Sequence, residues 1–360
     1  MKDGMTHAPK GKPAPVVKSG EFVFAAAHLD HGHIYGQCNG LVEAGGTLRY
    51  VFDPDAERVK EFVRRYPGVK PVDSLDRIFD DPEVRLVAAA AVPSERGPLG
   101  CRVMRAGRDY FTDKTPFTTS AQLAEARAVA AENGRKYMVY FSERLHVECA
   151  VFAGQLIAEG AIGTVLQTIG TGPHRLNAAS RPAWFFEKEK YGGILCDIGS
   201  HQCEQFLFYT GAKDARLNFS AVANYANPDF PELEDFGEAS YAADNGTSGY
   251  FRCDWLTPDG LPTWGDGRMI ILGTKGYIEL RKYLELPQSA GEQLYLVDGH
   301  GSRQISCEGK VGFPFFGELI LDCLERTERA MTQEHAFKAA ELCLIAQEKA
   351  IRLGQRSPAC

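Results

Sequence analysis

At 360 residues the chain exceeds what one ordinary hydrophobic core supports, so two domains are expected. Its net charge of -7, with no long block of Lys or Arg, excludes a nucleic-acid surface built on phosphate neutralisation. Ten cysteines without a Cys-x-x-Cys pair read as reduced thiols rather than a disulfide framework or zinc site, and no apolar run is long enough to span a bilayer. The first twenty residues hold no apolar run either, so we expect a cytoplasmic protein with a loose tail over residues 1–19.

Residues 22–27 read as a buried strand, and Ile34, Cys38, Leu41 and Val42 then recur with helical spacing. A second strand over residues 48–53 ends in Asp53 and leads into a helix presenting Val59, Phe62, Val63 and Tyr66. Strands at 86–92, 109–112 and 137–141 alternate with helices around Val103 and over 121–133, the latter started by Thr119 and Gln122 as a capping box. Such βαβ repetition predicts a doubly wound, parallel sheet of Rossmann type over residues 20–142.

Beyond it the pattern changes to an α+β domain over residues 143–355. A helix at 147–159 and a strand at 164–170 precede an apolar helix near residue 197. Strands at 217–225, 237–243, 249–255, 269–272, 277–280 and 294–297 then alternate with turns such as Asn245-Gly246 and Thr274-Lys-Gly276, and helices at 316–329 and 335–353 follow. The result is a large, mostly antiparallel sheet with helices on one face. Its other face must be covered, which predicts a homodimer or homotetramer.

Tyr191-Gly-Gly-Ile-Leu-Cys-Asp-Ile-Gly-Ser-His201 carries the chemistry most plainly. Asp197 and His201, four residues apart, would share one helical face, with the carboxylate orienting the imidazole as a base. Asp113-Lys-Thr-Pro116 ends a strand on the side where open α/β sheets gather their ligands, so Lys114 is either solvated, as an isolated lysine usually is, or directed into the cleft.

The glycine fingerprint for a dinucleotide falls here on His28, Asp30 and His33, with no glycine retained. Asp53, twenty residues after His33, stands either where a carboxylate meets adenosine ribose hydroxyls, which favours NAD over NADP, or, before Pro54, as a simple helix cap. A carboxylate at Asp30, ~5 Å from a pyrophosphate charge at an effective dielectric of about 20, would be repelled by about 3 kcal/mol. Three histidines and an aspartate in His28, Asp30, His31 and His33 also have the look of metal ligands, but a further ligand is not identifiable, and no metal is expected.

Taken together, the strand-end Lys114 before a proline turn, the Gly-Gly-x-x-x-Asp-x-x-x-His helix and a Rossmann half followed by an antiparallel half resemble the Gfo/Idh/MocA family, which includes glucose-fructose oxidoreductase and inositol dehydrogenase. The resemblance implies that Lys114 contacts the reacting hydroxyl and His201 is the base paired with Asp197. It implies that Gly273-Thr-Lys-Gly276 is the family's late hairpin and that Arg144, Asp113 and Pro93 belong to the cofactor side. Val92-Pro-Ser-Glu95 departs from the commoner Thr-Pro-Asn.

His174 and Arg175 after a strand, with Arg181 and Trp184 before the Asp197 helix, suggest a pocket for a polyhydroxylated or carboxylated ligand. The expected activity is a dehydrogenase moving hydride between NAD and a secondary hydroxyl of a sugar, polyol or sugar acid. A metal-dependent or NAD-assisted lyase, isomerase or glycosidase is the alternative, and a non-catalytic sensor a third.

Overall fold

A computed structural model describes residues 9–286 and 291–354. In its first half, β1 (Val23–Ala27), α1 (His33–Glu43), β2 (Thr47–Phe52), α2 (Ala56–Arg65), β3 (Lys70–Pro71), α3 (Leu75–Phe79), β4 (Val84–Ala89), α4 (Pro93–Arg105), β5 (Asp109–Asp113), α5 (Ser120–Asn133) and β6 (Tyr137–Tyr140) alternate. All the strand pairings are parallel and the order is β3-β2-β1-β4-β5-β6. β1 is Val-Phe-Ala-Ala-Ala, buried on both faces, as a central parallel strand between two helical layers must be. Thr119 caps α5 by accepting the Gln122 amide, while the Gln122 side chain accepts from Thr118, one residue earlier than a strict capping box.

The second half begins with α6 (Ser142–Leu145), α7 (Glu148–Ala158) and β7 (Val165–Pro173). α8 (Lys188–Tyr191), α9 (Ile194–Asp197) and α10 (Gly199–Thr210) then lead to β8 (Ala215–Ala223), β9 (Phe236–Ala243), β10 (Ser248–Asp254), β11 (Arg268–Gly273), β12 (Gly276–Arg281), β13 (Gln293–Asp298) and β14 (Gly301–Ser306). The chain closes with α11 (Pro314–Glu325), α12 (Gln333–Lys349) and β15 (Ile351–Arg352). The sheet order is β14-β13-β12-β11-β7-β10-β9-β8-β15, antiparallel except where β10 meets β7 and β15 meets β8. β14 has no apolar alternation, so its sequence does not read as a strand. Its place is set by pairing with β13.

One face of this sheet packs on α10 and α12. The other presents Tyr250, Ile169 and Ile270 in one cross-strand row, with Leu272 and Tyr277 paired beside them, all exposed.

The tail expected over residues 1–19 needs correcting from residue 9 onward. Gly11 and Pro13 are buried, Gly11 lies against the Glu148 carboxylate, and the Val16 amide donates to the Ala44 carbonyl at 2.9 Å. Prolines at 13 and 15 fix φ in advance, so ordering this segment costs less backbone entropy.

The two halves are joined at several points. Asp109 at the start of β5 receives a forked pair from Arg326, at 2.6 and 2.9 Å. The Gln333 side chain accepts from the Tyr137 amide and donates to the Tyr137 carbonyl, at 2.7 and 2.8 Å. Gly40 of α1 lets the helix approach Phe316 of α11, since a Cβ there would lie 2.2 Å from the ring. Gly40→Ala should therefore cost about 1–3 kcal/mol in urea unfolding, the range for overpacking. Gly68→Ala, with nothing within 4 Å, should change stability far less.

Candidate active site

Lys114 closes β5 at its carboxyl end, and the turn around it is held rigidly from behind. The buried guanidinium of Arg96 donates to the carbonyls of Ala91, Lys114 and Thr115 and to Asp113. The Lys114–Thr115 peptide bond is cis. From this turn the Lys114 ammonium reaches across to Asp197 at 2.5 Å, both groups being almost fully buried. Burial opposes the charge on Asp197, but Lys114 holds its carboxyl below the ordinary value. One oxygen, Oδ2, is left buried without a partner.

The Asp197 carboxylate turns to Lys114 while His201 Nδ1 has no partner, which corrects the expectation that the carboxylate orients the imidazole. Asp197 ends α9 and His201 lies in the first turn of α10. The Ser200 hydroxyl takes the Asp197 carbonyl at 2.8 Å, and the His201 amide turns to the Ile198 carbonyl. Gly192 and Gly193, at φ of +87° and +88°, set the entry to this broken helix.

The carboxylate acting on His201 is instead Glu143, on α6. Burial pushes the His201 pKa down to about 3, against the opposing pull of Glu143, and Nδ1 is buried without a partner. Glu143 is fixed by the ammonium of the fully buried Lys282 at 2.8 Å and by the Gln202 amide at 3.0 Å. Although burial alone would raise it, Lys282 holds the Glu143 pKa at about 2. His174, whose pKa burial lowers, donates from Nδ1 to the Gly172 carbonyl and places Nε2 4.0 Å from Glu143.

Neither Glu143 nor Lys282 was named from sequence. Glu143 does carry a signal, since it leaves a strand end in Ser142-Glu-Arg144 beside the arginine. Lys282 carries no sequence signal.

His31 and His33 sit on the other wall. A single buried carboxylate holds both rings: Asp113 meets His31 Nδ1 at 2.9 Å and His33 Nδ1 at 2.8 Å. Burial brings the His31 pKa down to about 4. Of the sequence cluster, His31 and His33 thus gather with Asp113, their ligand-type atoms all within 4.8 Å, whereas His28 and Asp30 turn elsewhere. His28, at φ +51°, packs edge-on to Phe52, and Asp30 forms an ion pair with Arg58.

Asp53 spends both oxygens on backbone amides, those of Leu29 at 2.5 Å and Asp55 at 2.7 Å, and its side chain is wholly buried. In this structure it shapes the turn after β1. Pro93 occupies the first position of α4.

A cleft of about 110 Å³ collects His31, His33, Lys114, Glu143, His174 and His201, with Trp255, Trp264 and Tyr283 as an aromatic wall. Pro9 and Gly11 border it at the far end. Arg175 and Arg181 also line it, but Arg175 donates to the Pro258 and Leu261 carbonyls and Arg181 stacks on Phe185 and Trp255.

Two predicted contacts do not reach it. Arg144 forms a buried pair with Glu204, which His335 joins at 3.1 Å, and lies over Phe208, because its side chain turns toward α10 rather than the strand ends. Trp184 packs on Phe185 outside the cleft lining.

Residues 24–141 match the family model described as an oxidoreductase family with an NAD-binding Rossmann fold, and residues 151–279 match the GFO/IDH/MocA C-terminal domain. A protein of Erwinia carotovora atroseptica SCRI1043 of known crystal structure is 48% identical, the match covering 92% of this chain and 100% of that one, with a TM-score of 0.90. The chain belongs to the Gfo/Idh/MocA family. D-xylose dehydrogenase of Paenarthrobacter nicotinovorans is 26% identical over 149 residues, 40% of this chain and 38% of that protein, so the chain matches under half the length of this curated relative. Levoglucosan dehydrogenase in complex with NADH shares the fold, with a TM-score of 0.76 at 17% identity over 91% of this chain and 98% of that one.

Neutral imidazoles buried at low pKa make the fold acid-sensitive. Below about pH 6.5 the unfolded chain binds protons that folded His201 and His31 refuse, so stability falls as the pH drops toward 4. His201→Gln should make the decline of Tm between pH 6.5 and 4.5 shallower. An unchanged slope would show that His201 is not the group excluded from protonation.

Proposed function

We propose that this protein is an NAD-dependent dehydrogenase acting on a secondary hydroxyl of a neutral sugar or polyol. The observation that carries the proposal is the facing pair in one cleft: a buried ammonium at Lys114 and a neutral imidazole at His201 with an unpartnered nitrogen. His201 accepts the hydroxyl proton, and the ionised Glu143 stabilises the imidazolium that results. Lys114 donates to the oxygen as negative charge builds on it, with Asp197 fixing the ammonium's position. NAD, when bound, supplies the hydride acceptor.

The turn after β1 would hold the dinucleotide, with Pro93 and Asp113 along its course. Its residues fit such a group in charge, since Arg58 already neutralises the Asp30 carboxylate that would repel a pyrophosphate. Arg58 also has Asp53 and Asp55 at 3.7 and 3.6 Å. Surrounded by three carboxylates, it has no charge to spare for a 2′-phosphate, which supports NAD over NADP.

A neutral polyhydroxylated substrate is supported by the lining. The aromatic wall suits sugar faces, and Arg175 and Arg181 are engaged with carbonyls and rings rather than free to bind a carboxylate. The metal alternative is disfavoured at Asp113, whose oxygens serve two imidazoles, Arg96 and the Lys114 amide beside two fixed cations. We propose further that the exposed row of Tyr250, Ile169 and Ile270 is covered by a second copy of the chain.

With a panel of aldoses and polyols, His201→Ala and Lys114→Met should each lower kcat/KM by about two to four powers of ten while leaving NAD affinity within a few fold. Oxidation rates should lack a limb from His201 between pH 5 and 8, since its pKa lies near 3. Turnover of every panel member unchanged in both variants, on folded protein, would remove the assignment. Ile169→Lys with Ile270→Lys should turn the assembly into monomers in analytical ultracentrifugation.

A further inference from the structure

At the opposite end of the Rossmann sheet from the cleft, where β4 and β5 begin, the surface encloses a cavity of about 240 Å³. Arg85, Arg108, Arg135 and Arg326 line it, with Val84 and Leu324 as apolar wall. The carboxylate present, Asp109, is already occupied by Arg326 and by the Lys136 amide. Asp81, whose carbonyl Arg108 uses, gives its carboxylate to Arg49 and Tyr50.

The guanidinium groups of Arg85, Arg108 and Arg135 therefore meet here with no ion pair of their own among the described residues, Asp81 acting on Arg108 only at a distance. Arg108 is pinned by the carbonyls of Phe79 and Asp81 at 2.9 and 3.2 Å, with Nε buried and unpartnered. Arg135 likewise has a buried, unpartnered Nε, and neither it nor Arg85 forms an ion pair among the described residues. Burial, together with the like charges of Arg135 and Arg85, lowers the Arg108 pKa. Holding three guanidinium groups this close without an anion is unfavourable.

We propose that this pocket binds a small molecule through a phosphate dianion, at a site separate from the catalytic cleft. Guanidinium forks match phosphate oxygens two at a time, and a dianion balances the uncompensated cations better than a carboxylate does. The cavity is larger than one phosphate needs, and Val84 and Leu324 offer a wall to whatever the phosphate is attached to. A small pocket on a chain of net charge -7 suits one phosphate rather than a nucleic-acid strand. Arg85, Arg108 and Arg135 come from the Rossmann half and Arg326 from the end of α11, so the ligand would bridge the two halves.

The test is isothermal titration calorimetry with inorganic phosphate and with glycerol 3-phosphate, at constant ionic strength made up with chloride. We expect saturable, one-site binding of both probes, tighter for glycerol 3-phosphate, and a dissociation constant at least tenfold weaker in Arg135→Gln and in Arg85→Gln. Arg108→Gln should abolish binding. Should that variant fail to fold for want of its carbonyl bonds, the other two decide, because their side chains hold no other protein group. Dehydrogenase turnover is not part of the readout, so failure here is distinct from failure of the assigned activity. Absence of saturable binding, affinities unaltered in Arg85→Gln and Arg135→Gln, or a response reproduced by chloride alone would overturn the proposal.

Discussion

The ion pair between Lys114 and Asp197 is the contact around which the molecule is arranged. It joins the carboxyl end of a Rossmann strand to the broken helix of the second half, with both charges out of water. Removing one member would strand the other, at a cost of about 3–5 kcal/mol. Nearly everything nearby serves to hold one end of it. Arg96 fixes the turn that carries the ammonium, and the paired glycines with Ser200 fix the break that carries the carboxylate.

The same logic repeats in a second layer. Glu143 is steered by Lys282 and Gln202, and Asp113 by Arg96 and the Lys114 amide. Two buried carboxylates thus organise four imidazoles, His31 and His33 on one wall and His174 and His201 on the other. Burial keeps His31, His174 and His201 below their ordinary pKa, so much of the cleft's hydrogen-bonding capacity is uncharged. Such a surface complements hydroxyl groups, which both donate and accept.

Much of this was legible before any coordinates. The βαβ alternation placed every major strand of the first sheet, because apolar runs between turn residues leave few other arrangements. The strand-end position of Lys114 and the Asp-x-x-x-His spacing pointed to side chains that the fold does gather at one cleft. What could not be read was which side chains pair: Asp197 goes to Lys114 from another element, and His201 falls under the influence of Glu143. Glu143 and Arg144 are adjacent but diverge from a short helix, and which of them faces the cleft is a tertiary property. The polar strand β14 had no hydrophobic period to betray it.

The Gln333 side chain has a consequence beyond joining the halves. By accepting from the Tyr137 amide and donating to its carbonyl, it imitates a neighbouring strand at the margin of the six-stranded sheet. That margin is where a parallel sheet would otherwise recruit foreign chain into its ladder. A single amide on α12 therefore acts as a molecular end-stop, directing any self-association toward side-chain surfaces and away from the backbone.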